Sequence, residues 1–315
     1  MSNEHPNRRD VLCGIAAAAP LAALPRFLRA AAEPAVNFLV VGDWGRDGSN
    51  HQREVATQMG KAAAAAGSRF VVSVGDNFYE NGVASATDPQ WRSSFEAVYV
   101  APSLQVPWYV ALGNHDYRGT PQAQIDYAKT SPRWRMPSRY YKVAGSEIGA
   151  PYLDLFFIDS SPLVHTYRDK VEGHIAANVA TQDVKAQLRW LDAELGRSAA
   201  PWKLVIGHHT VHSGGSAHGD TVEMVELIEP LLKKHRVQAY IGGHDHDLQH
   251  IRRGGVDFIG SGAGSEVRPV APVEGTLFCA ERSGFASITS SADALRLEFW
   301  DFTGARLYQG SVSKG

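Results

Sequence analysis

The chain has 315 residues, of which 44% are apolar, and a formal net charge of −2. A chain of this length and apolar content can bury a substantial core. No run of lysine and arginine forms the basic stripe that binds phosphate backbones, so nucleic acid is not an expected partner.

The N-terminus has the order of a twin-arginine export signal: a basic segment at Arg8 to Leu12, a short apolar stretch from Gly14 to Leu24, and Ala30-Ala31-Ala32. We therefore expect residues 1–32 to engage the twin-arginine export machinery, to be cleaved near Ala32, and to direct the protein to the periplasm or the medium. The alternative is an amphipathic N-terminal helix. The apolar stretch is too short for a stable membrane anchor. Cleavage would remove Cys13 and leave Cys279 alone, so no intramolecular disulfide is expected.

From Val36 onward, strand-like apolar runs alternate with helical patterns. A strand at Asn37 to Val41 is followed by a helix from about Gln52 to Ala66, which Gly67 closes, and then by a strand at Phe70 to Val74. Further strands are predicted at Trp108 to Leu112, Lys203 to Ile206 and Gln238 to Ile241.

Two more helices are predicted, at Asp183 to Leu195 and at Thr221 to Lys234, where Pro230 must bend or restart the second. Beyond Phe258 the pattern alternates as in strands, for example at Leu295 to Phe299. Such an order predicts a layered α/β fold in a single domain over residues 33–315.

In five places a glycine ends an apolar run and polar side chains follow at once. The segments are Gly42 to Gly45, Gly75 to Tyr79, Gly113 to Asp116, Gly207 to His209 and Gly243 to His246. Any one of them could be an ordinary turn. Together they place carboxylate, phenol, amide and imidazole groups at one sheet edge, which core packing does not explain. Without thiolates, such a set suits iron, manganese or zinc in a catalytic site.

These motifs resemble the calcineurin-like metallophosphoesterases and, within them, the purple acid phosphatases of the small tartrate-resistant type. The resemblance runs from Val36 to about Gly264 and includes Pro137 to Tyr141 and the Leu248-Gln249 pair. It implies two mixed β-sheets packed as a sandwich flanked by helices, in four αββα layers. It also implies hydrolysis of small-molecule or protein phosphate monoesters at a dinuclear metal centre.

The first motif departs from the wider superfamily, because Gly45 stands where most metallophosphoesterases have a histidine. The resemblance implies that Tyr79 replaces that ligand as a tyrosinate, which favours Fe(III). The implied ferric ligands are Asp43, Asp76, Tyr79 and His246. The implied ligands of a divalent ion (Fe, Zn or Mn) are Asp76, Asn114, His208 and His244.

The resemblance further implies that a metal-bound hydroxide attacks phosphorus in line with the leaving alkoxide, at acidic pH. His115 is the expected proton donor, oriented by Asp116, and His218 is a second catalytic candidate. Asn114 and His209 are the expected substrate contacts.

The remaining polar residues of interest are given structural interpretations. Asp245 is expected to support the turn between two ligand histidines, and Asp159 is interpreted as a turn residue. His212 and His250 lack a motif and are interpreted as solvated surface residues. Two other functions stay open: a phosphodiesterase or nucleotide hydrolase on the same fold, and a non-hydrolytic di-iron redox protein.

Overall fold

A computed structural model of the protein describes residues 35–169 and 174–314. The predicted export signal and its cleavage site lie outside the described residues and stay predictions, as does the domain boundary at residue 32. Within the two described ranges, no helix combines the length and apolar character needed to cross a bilayer.

The strands form two mixed sheets. In chain order they are β1 (Val36–Val41), β2 (Phe70–Ser73), β3 (Trp108–Val110), β4 (Trp134–Arg135), β5 (Tyr141–Val143), β6 (Leu153–Phe157), β7 (Trp202–Ile206), β8 (Ala239–Gly242), β9 (Leu248–Arg253), β10 (Val256–Ser261), β11 (Thr276–Ala280), β12 (Gly284–Ser290), β13 (Leu295–Asp301) and β14 (Arg306–Ser311). The first sheet has the order β14-β13-β12-β1-β2-β3-β4, and the second has β11-β9-β10-β8-β7-β6-β5.

The helices are α1 (Gln52–Ala66), α2 (Pro121–Ala128), α3 (His165–Asp169), α4 (His174–Ala180), α5 (Val184–Arg197), α6 (Val222–Leu227) and α7 (Glu229–Lys234). Gly67 ends α1 in the left-handed conformation at φ 64°, as predicted. The side chain of Asp183 caps α5 by accepting a hydrogen bond from the Ala186 N–H. The helix predicted at Thr221 to Lys234 is interrupted at Ile228, and Pro230 lies in the first turn of the second of two short helices.

Alternating side chains of the second sheet divide between two cores. Leu155 and Phe157 of β6 belong to the large core, which also contains the buried residues of the first sheet and of α1. Phe156 and Ile158 point the other way, into a smaller core with Leu191 of α5 and residues of α6 and α7. The two sheets therefore pack face to face with helices outside them, which is the expected αββα sandwich.

The parallel pairing of strands brings the motif loops to one edge of each sheet. In the first sheet β1, β2 and β3 run parallel, with Val41 opposite Ser73 and Ser73 opposite Val110. In the second sheet β7 and β8 run parallel, with Ile206 opposite Ile241. Since each motif follows the last residues of its strand, the polar side chains start from neighbouring positions.

Beneath the loops of the first sheet lies a cluster of aromatic rings, which we call the aromatic floor. It comprises Trp44, Phe78, Phe95, Tyr99, Trp108 and Trp134, all fully buried. Ring centroids of the other members lie 5.4–6.3 Å from that of Trp44. Trp44 and Phe78, which lie inside the first two motifs, thus pack in the core.

Candidate metal centre

Four of the residues expected to bind metal adopt a backbone conformation that side chains rarely take. Their φ angles are 58° at Asp43, 48° at Asp76, 74° at His244 and 55° at His246. Such left-handed residues are strained unless the surrounding structure holds them, and they concentrate at functional sites. The sharp turns aim these side chains back across the ends of the strands.

The first two motif loops lie in direct backbone contact at Gly45. A Cβ atom there would be 1.9 Å from the Asn77 carbonyl oxygen, so no larger residue fits without moving the second loop. The Tyr79 N–H donates a hydrogen bond of 2.8 Å to the Gly45 carbonyl. A histidine side chain therefore does not fit at this position. The hydrogen bond also fixes the backbone of Tyr79 against the first loop.

One group of donor atoms surrounds the Tyr79 hydroxyl. Ligand atoms of Asp43, Asp76 and His246 lie within 4.8 Å of one another. The hydroxyl oxygen is 3.0 Å from Oδ1 of Asp43, 3.0 Å from Oδ2 of Asp76 and 2.9 Å from Nε2 of His246. One phenolic proton cannot serve three such neighbours, whereas a cation among these oxygen and nitrogen atoms would satisfy all of them. The donor set therefore fits a hard metal ion such as Fe(III).

A second group lies beside the first and shares Asp76 with it. Nε2 of His208 is 3.4 Å from Oδ2 of Asp76, 3.2 Å from Oδ1 of Asn114 and 3.2 Å from Nδ1 of His244. Nδ1 of His208 donates to the Val74 carbonyl at 2.9 Å, which leaves Nε2 to face the other donors. This mixed set fits a divalent ion, and Asp76 Oδ2 lies where it could bridge two metals.

The electrostatics of the bare donor set also favour bound cations. Burial, together with the charge of Asp76, raises the pKa of Asp43 to about 8. Burial and the same two carboxylates raise the pKa of Tyr79 well above its usual value. Burial opposes ionisation of Asp76, but the charge of His208 and its hydrogen bond hold the pKa of Asp76 down. A metal ion would remove the repulsion that opposes ionisation of Asp43 and Tyr79.

His115 lies at the edge of this centre. Its Nδ1 donates to the Glu80 carbonyl at 2.7 Å, which turns Nε2 toward Asp76, at 4.0 Å from Oδ2. The expectation that Asp116 orients His115 is wrong. Asp116 instead accepts from the Asn77 and Gly113 N–H groups and holds the turns of the two loops together. The ring N–H of His115 donates to the Glu80 carbonyl, which is 35 positions away in the sequence. The adjacency of His115 and Asp116 in the chain therefore suggested the wrong partner.

His218 and His209 both pack against His244. The His218 ring stacks on that of His244 at 4.0 Å between centroids, and the His209 ring lies 4.4 Å away. Asp245 accepts a 3.1 Å hydrogen bond from the His218 N–H, so its side chain holds the loop that carries His218; its expected support of the turn between His244 and His246 stays a prediction. The His209 ring is held at both nitrogens, with Nδ1 2.8 Å from Ser160 Oγ and Nε2 3.0 Å from the Tyr167 hydroxyl.

Three residues at this site were not predicted from the sequence. The guanidinium of Arg46 lies 3.8 Å from the centre of the Tyr79 ring, and Tyr167 holds His209. Nη1 of Arg268 is 2.9 Å from Nε2 of His218. Tyr167 and Arg268 lie far along the chain from every motif, and Arg46 directly follows the first motif. No local sequence pattern indicates a function for any of the three.

Three structural interpretations were also wrong. His212 is buried between Asp220, at 2.9 Å, and Glu229, at 3.2 Å. His250 is fully buried and 2.6 Å from Asp257. Asp159 is a buried acceptor of the Tyr117 hydroxyl rather than a simple turn residue. Their carboxylate or phenol partners stand seven or more positions away along the chain, so no local pattern marked these pairs.

Comparison with known proteins identifies the family. A family model described as calcineurin-like phosphoesterase matches residues 36–248. The chain is 40% identical over 304 residues to purple acid phosphatase 17 of Arabidopsis thaliana, covering 92% of this chain and 88% of the relative. It is 33% identical to tartrate-resistant acid phosphatase type 5 of Oryctolagus cuniculus, with 90% and 92% covered. The chain belongs to the purple acid phosphatases.

The fold agrees with this membership. The structure of purple acid phosphatase PPD1 from yellow lupin seeds superposes with a TM-score of 0.65 at 16% identity, covering 89% of this chain and 54% of the lupin chain. Purple acid phosphatases contain a dinuclear metal centre, and the Asp43, Asp76 and His246 cluster is a candidate for part of it.

Proposed function

We propose that this purple acid phosphatase hydrolyses phosphate monoesters to an alcohol and inorganic phosphate at acidic pH. The observation that carries the proposal is the pair of adjoining donor groups that share Asp76 Oδ2, next to a histidine whose Nε2 faces them. Two metals in contact with one carboxylate form a clamp suited to a phosphate group.

The ligand assignment follows the two donor groups. Fe(III) would be held by Asp43, Asp76, Tyr79 and His246, and a divalent Fe, Zn or Mn ion by Asp76, Asn114, His208 and His244. Counting +3 and +2 for the metals against two aspartates, a tyrosinate and one hydroxide leaves a formal charge of about +1. Neutral Asn114 preserves this positive charge, which attracts a phosphate dianion.

When bound, the metals would activate a water molecule as the nucleophile and neutralise the phosphate oxygens. The chain supplies the proton for the leaving oxygen. Because Nδ1 of His115 donates to the Glu80 carbonyl, its Nε2 must carry the transferable proton. Burial lowers the pKa of His115, so this proton is present mainly under acidic conditions. His218 stacks on the ring of His244, and Asn114 is the proposed substrate contact. His209, the second proposed contact, has both ring nitrogens held by Ser160 and Tyr167, so it would act by shaping the pocket.

The first experiment is a visible spectrum of the purified protein combined with metal analysis. A tyrosinate bound to Fe(III) gives a charge-transfer band that colours the protein purple or pink, and Tyr79→Phe should abolish it. A colourless protein with two zinc ions would refute the ferric assignment. A rate optimum well above pH 7 would also contradict it. Comparing turnover of mono- and bis-nitrophenyl phosphate tests monoester against diester specificity.

We also propose that the protein is exported through the twin-arginine pathway to the periplasm or the medium, on the strength of Arg8-Arg9 and the apolar stretch that follows. N-terminal sequencing of the native protein tests this proposal. A mature N-terminus near Glu33 is expected, and an intact N-terminus on intracellular protein would refute it.

A further inference from the structure

Arg268 is fixed at the rim of the metal centre by two hydrogen bonds. Its backbone N–H donates to the His246 carbonyl at 3.0 Å. Its guanidinium Nη1 lies 2.9 Å from Nε2 of His218. Since a guanidinium can only donate, His218 is the acceptor in this contact. Arg268 is therefore held beside the candidate catalytic histidine rather than extended freely into solvent.

The charge of Arg268 has no carboxylate partner among residues 35–169 and 174–314. Arg46, the other arginine near the centre, pairs with Glu80 at 2.6 Å and with Glu266 at 3.1 Å. Its backbone hydrogen bond to His246 and its contact with His218, whose ring stacks on that of His244, place Arg268 next to two of the expected metal ligands. An unpaired cation next to a positively charged metal centre is repelled by it, and a bound anion would offset this repulsion.

The depth of Arg268 indicates which part of the substrate supplies that anion. The expected metal ligands are all buried, with at most 7% of their surface exposed, and His115 is 8% exposed. Arg268 is partly exposed and its contact with His218 is open to solvent. It therefore lies outward of the metal donors, where the part of a substrate beyond its phosphate group would extend.

We propose that Arg268 binds an anionic substituent on the leaving group, so that the preferred substrates are phosphate monoesters that carry a second negative charge. This inference rests on the proposed phosphatase function and adds the substrate class. A guanidinium suits either a carboxylate or a second phosphate, because both offer paired oxygen acceptors.

The test compares two substrates that differ in one group, glycerol 3-phosphate and 3-phosphoglycerate, in which a carboxylate replaces a hydroxymethyl group. In Arg268→Gln, the ratio of kcat/KM for 3-phosphoglycerate to that for glycerol 3-phosphate should fall about tenfold, the scale of one partly exposed charge-assisted hydrogen bond. Most of this loss should appear in KM. Arg268→Glu should reverse the preference.

Arg296→Gln is the matched control, because it removes the same charge from an exposed position on β13. It should leave the ratio unchanged. Equal losses of kcat/KM for both substrates in Arg268→Gln would mean that Arg268 binds the reacting phosphoryl group. Unchanged kcat/KM for both would mean that it binds neither group, and either result overturns the proposal.

A binding measurement separates this inference from the proposed function. Equilibrium dialysis of metal-loaded protein uses the phosphonate analogues of the two compounds, in which a methylene group replaces the ester oxygen so that neither is hydrolysed. The analogue of 3-phosphoglycerate should bind more tightly than that of glycerol 3-phosphate, and Arg268→Gln should remove the difference. If the parent protein hydrolyses neither substrate but keeps this binding difference, the phosphatase proposal fails while the role of Arg268 stands. Equal binding of the two analogues by the parent protein refutes the role of Arg268.

Discussion

Gly45→Ala is the smallest change that tests the contact between the first two motif loops. The added Cβ would lie 1.9 Å from the Asn77 oxygen, 2.8 Å from the Asn77 carbonyl carbon and 2.9 Å from the Phe78 Cα. All three are backbone atoms and cannot rotate away. The second loop must therefore move, and Tyr79 must move with it.

The expected cost has two parts. Overpacking a buried site costs about 1–3 kcal/mol, and a clash with backbone belongs at the upper end. Alanine also lowers the conformational entropy of the unfolded chain, which by itself would stabilise the protein by roughly 0.4–1 kcal/mol. We therefore expect a net loss of about 2 kcal/mol in the free energy of unfolding, together with weaker metal binding.

Denaturant unfolding and metal analysis of the purified variant measure both effects. Gly196→Ala is the matched control, since its Cβ would meet no described atom closer than 3.4 Å, at His235, and the helix α5 should gain stability. If Gly45→Ala were as stable as the parent and kept its full metal content, the steric explanation for this glycine would be wrong.

Two further predictions concern titratable groups. His115→Gln should lower kcat by about 10²–10⁴ at acidic pH with little change in metal content, as steady-state rates and metal analysis can show. Burial raises the pKa of Asp159 from 3.8 to about 7, so its protonated form stabilises the fold below pH 3.8 and this contribution is lost as the pH rises through 7. The free energy of unfolding of Asp159→Asn, measured with urea, should therefore rise by about 2–3 kcal/mol relative to that of the parent between pH 5 and pH 8. If the difference in unfolding free energy between variant and parent were the same at both pH values, the raised pKa would be contradicted.

The sequence predicted the sheet edge that carries the site because the signal there is local. Each motif begins where an apolar run meets a glycine, and parallel strands place such points side by side. The bounds of α1 were predictable for a similar reason, since Gly67 provides a left-handed end. By contrast, β4 and β5 have two and three residues and show no pattern of their own.

The surroundings of the site were not predictable in the same way. Arg268 reaches His218 across 50 positions of sequence, and Tyr167 reaches His209 across 42. These contacts depend on how loops from different strands fold over the centre. His115 shows the limit most clearly, because the adjacent Asp116 looked like its partner while the actual acceptor is the Glu80 carbonyl. Local spacing identifies groups that share a turn, but not those that meet through the fold.

The aromatic floor provides an optical signal for the state of the centre. Trp44 stands between Asp43 and Gly45 in the chain, and its ring lies 6.1 Å from that of Trp108 and 6.3 Å from that of Trp134. Indoles this close exchange excitation energy, and an iron ion held by Asp43, the neighbour of Trp44 in the chain, would quench their emission. The intrinsic fluorescence should therefore fall as iron binds and recover when a chelator removes it. Metal occupancy could then be followed in real time without a label.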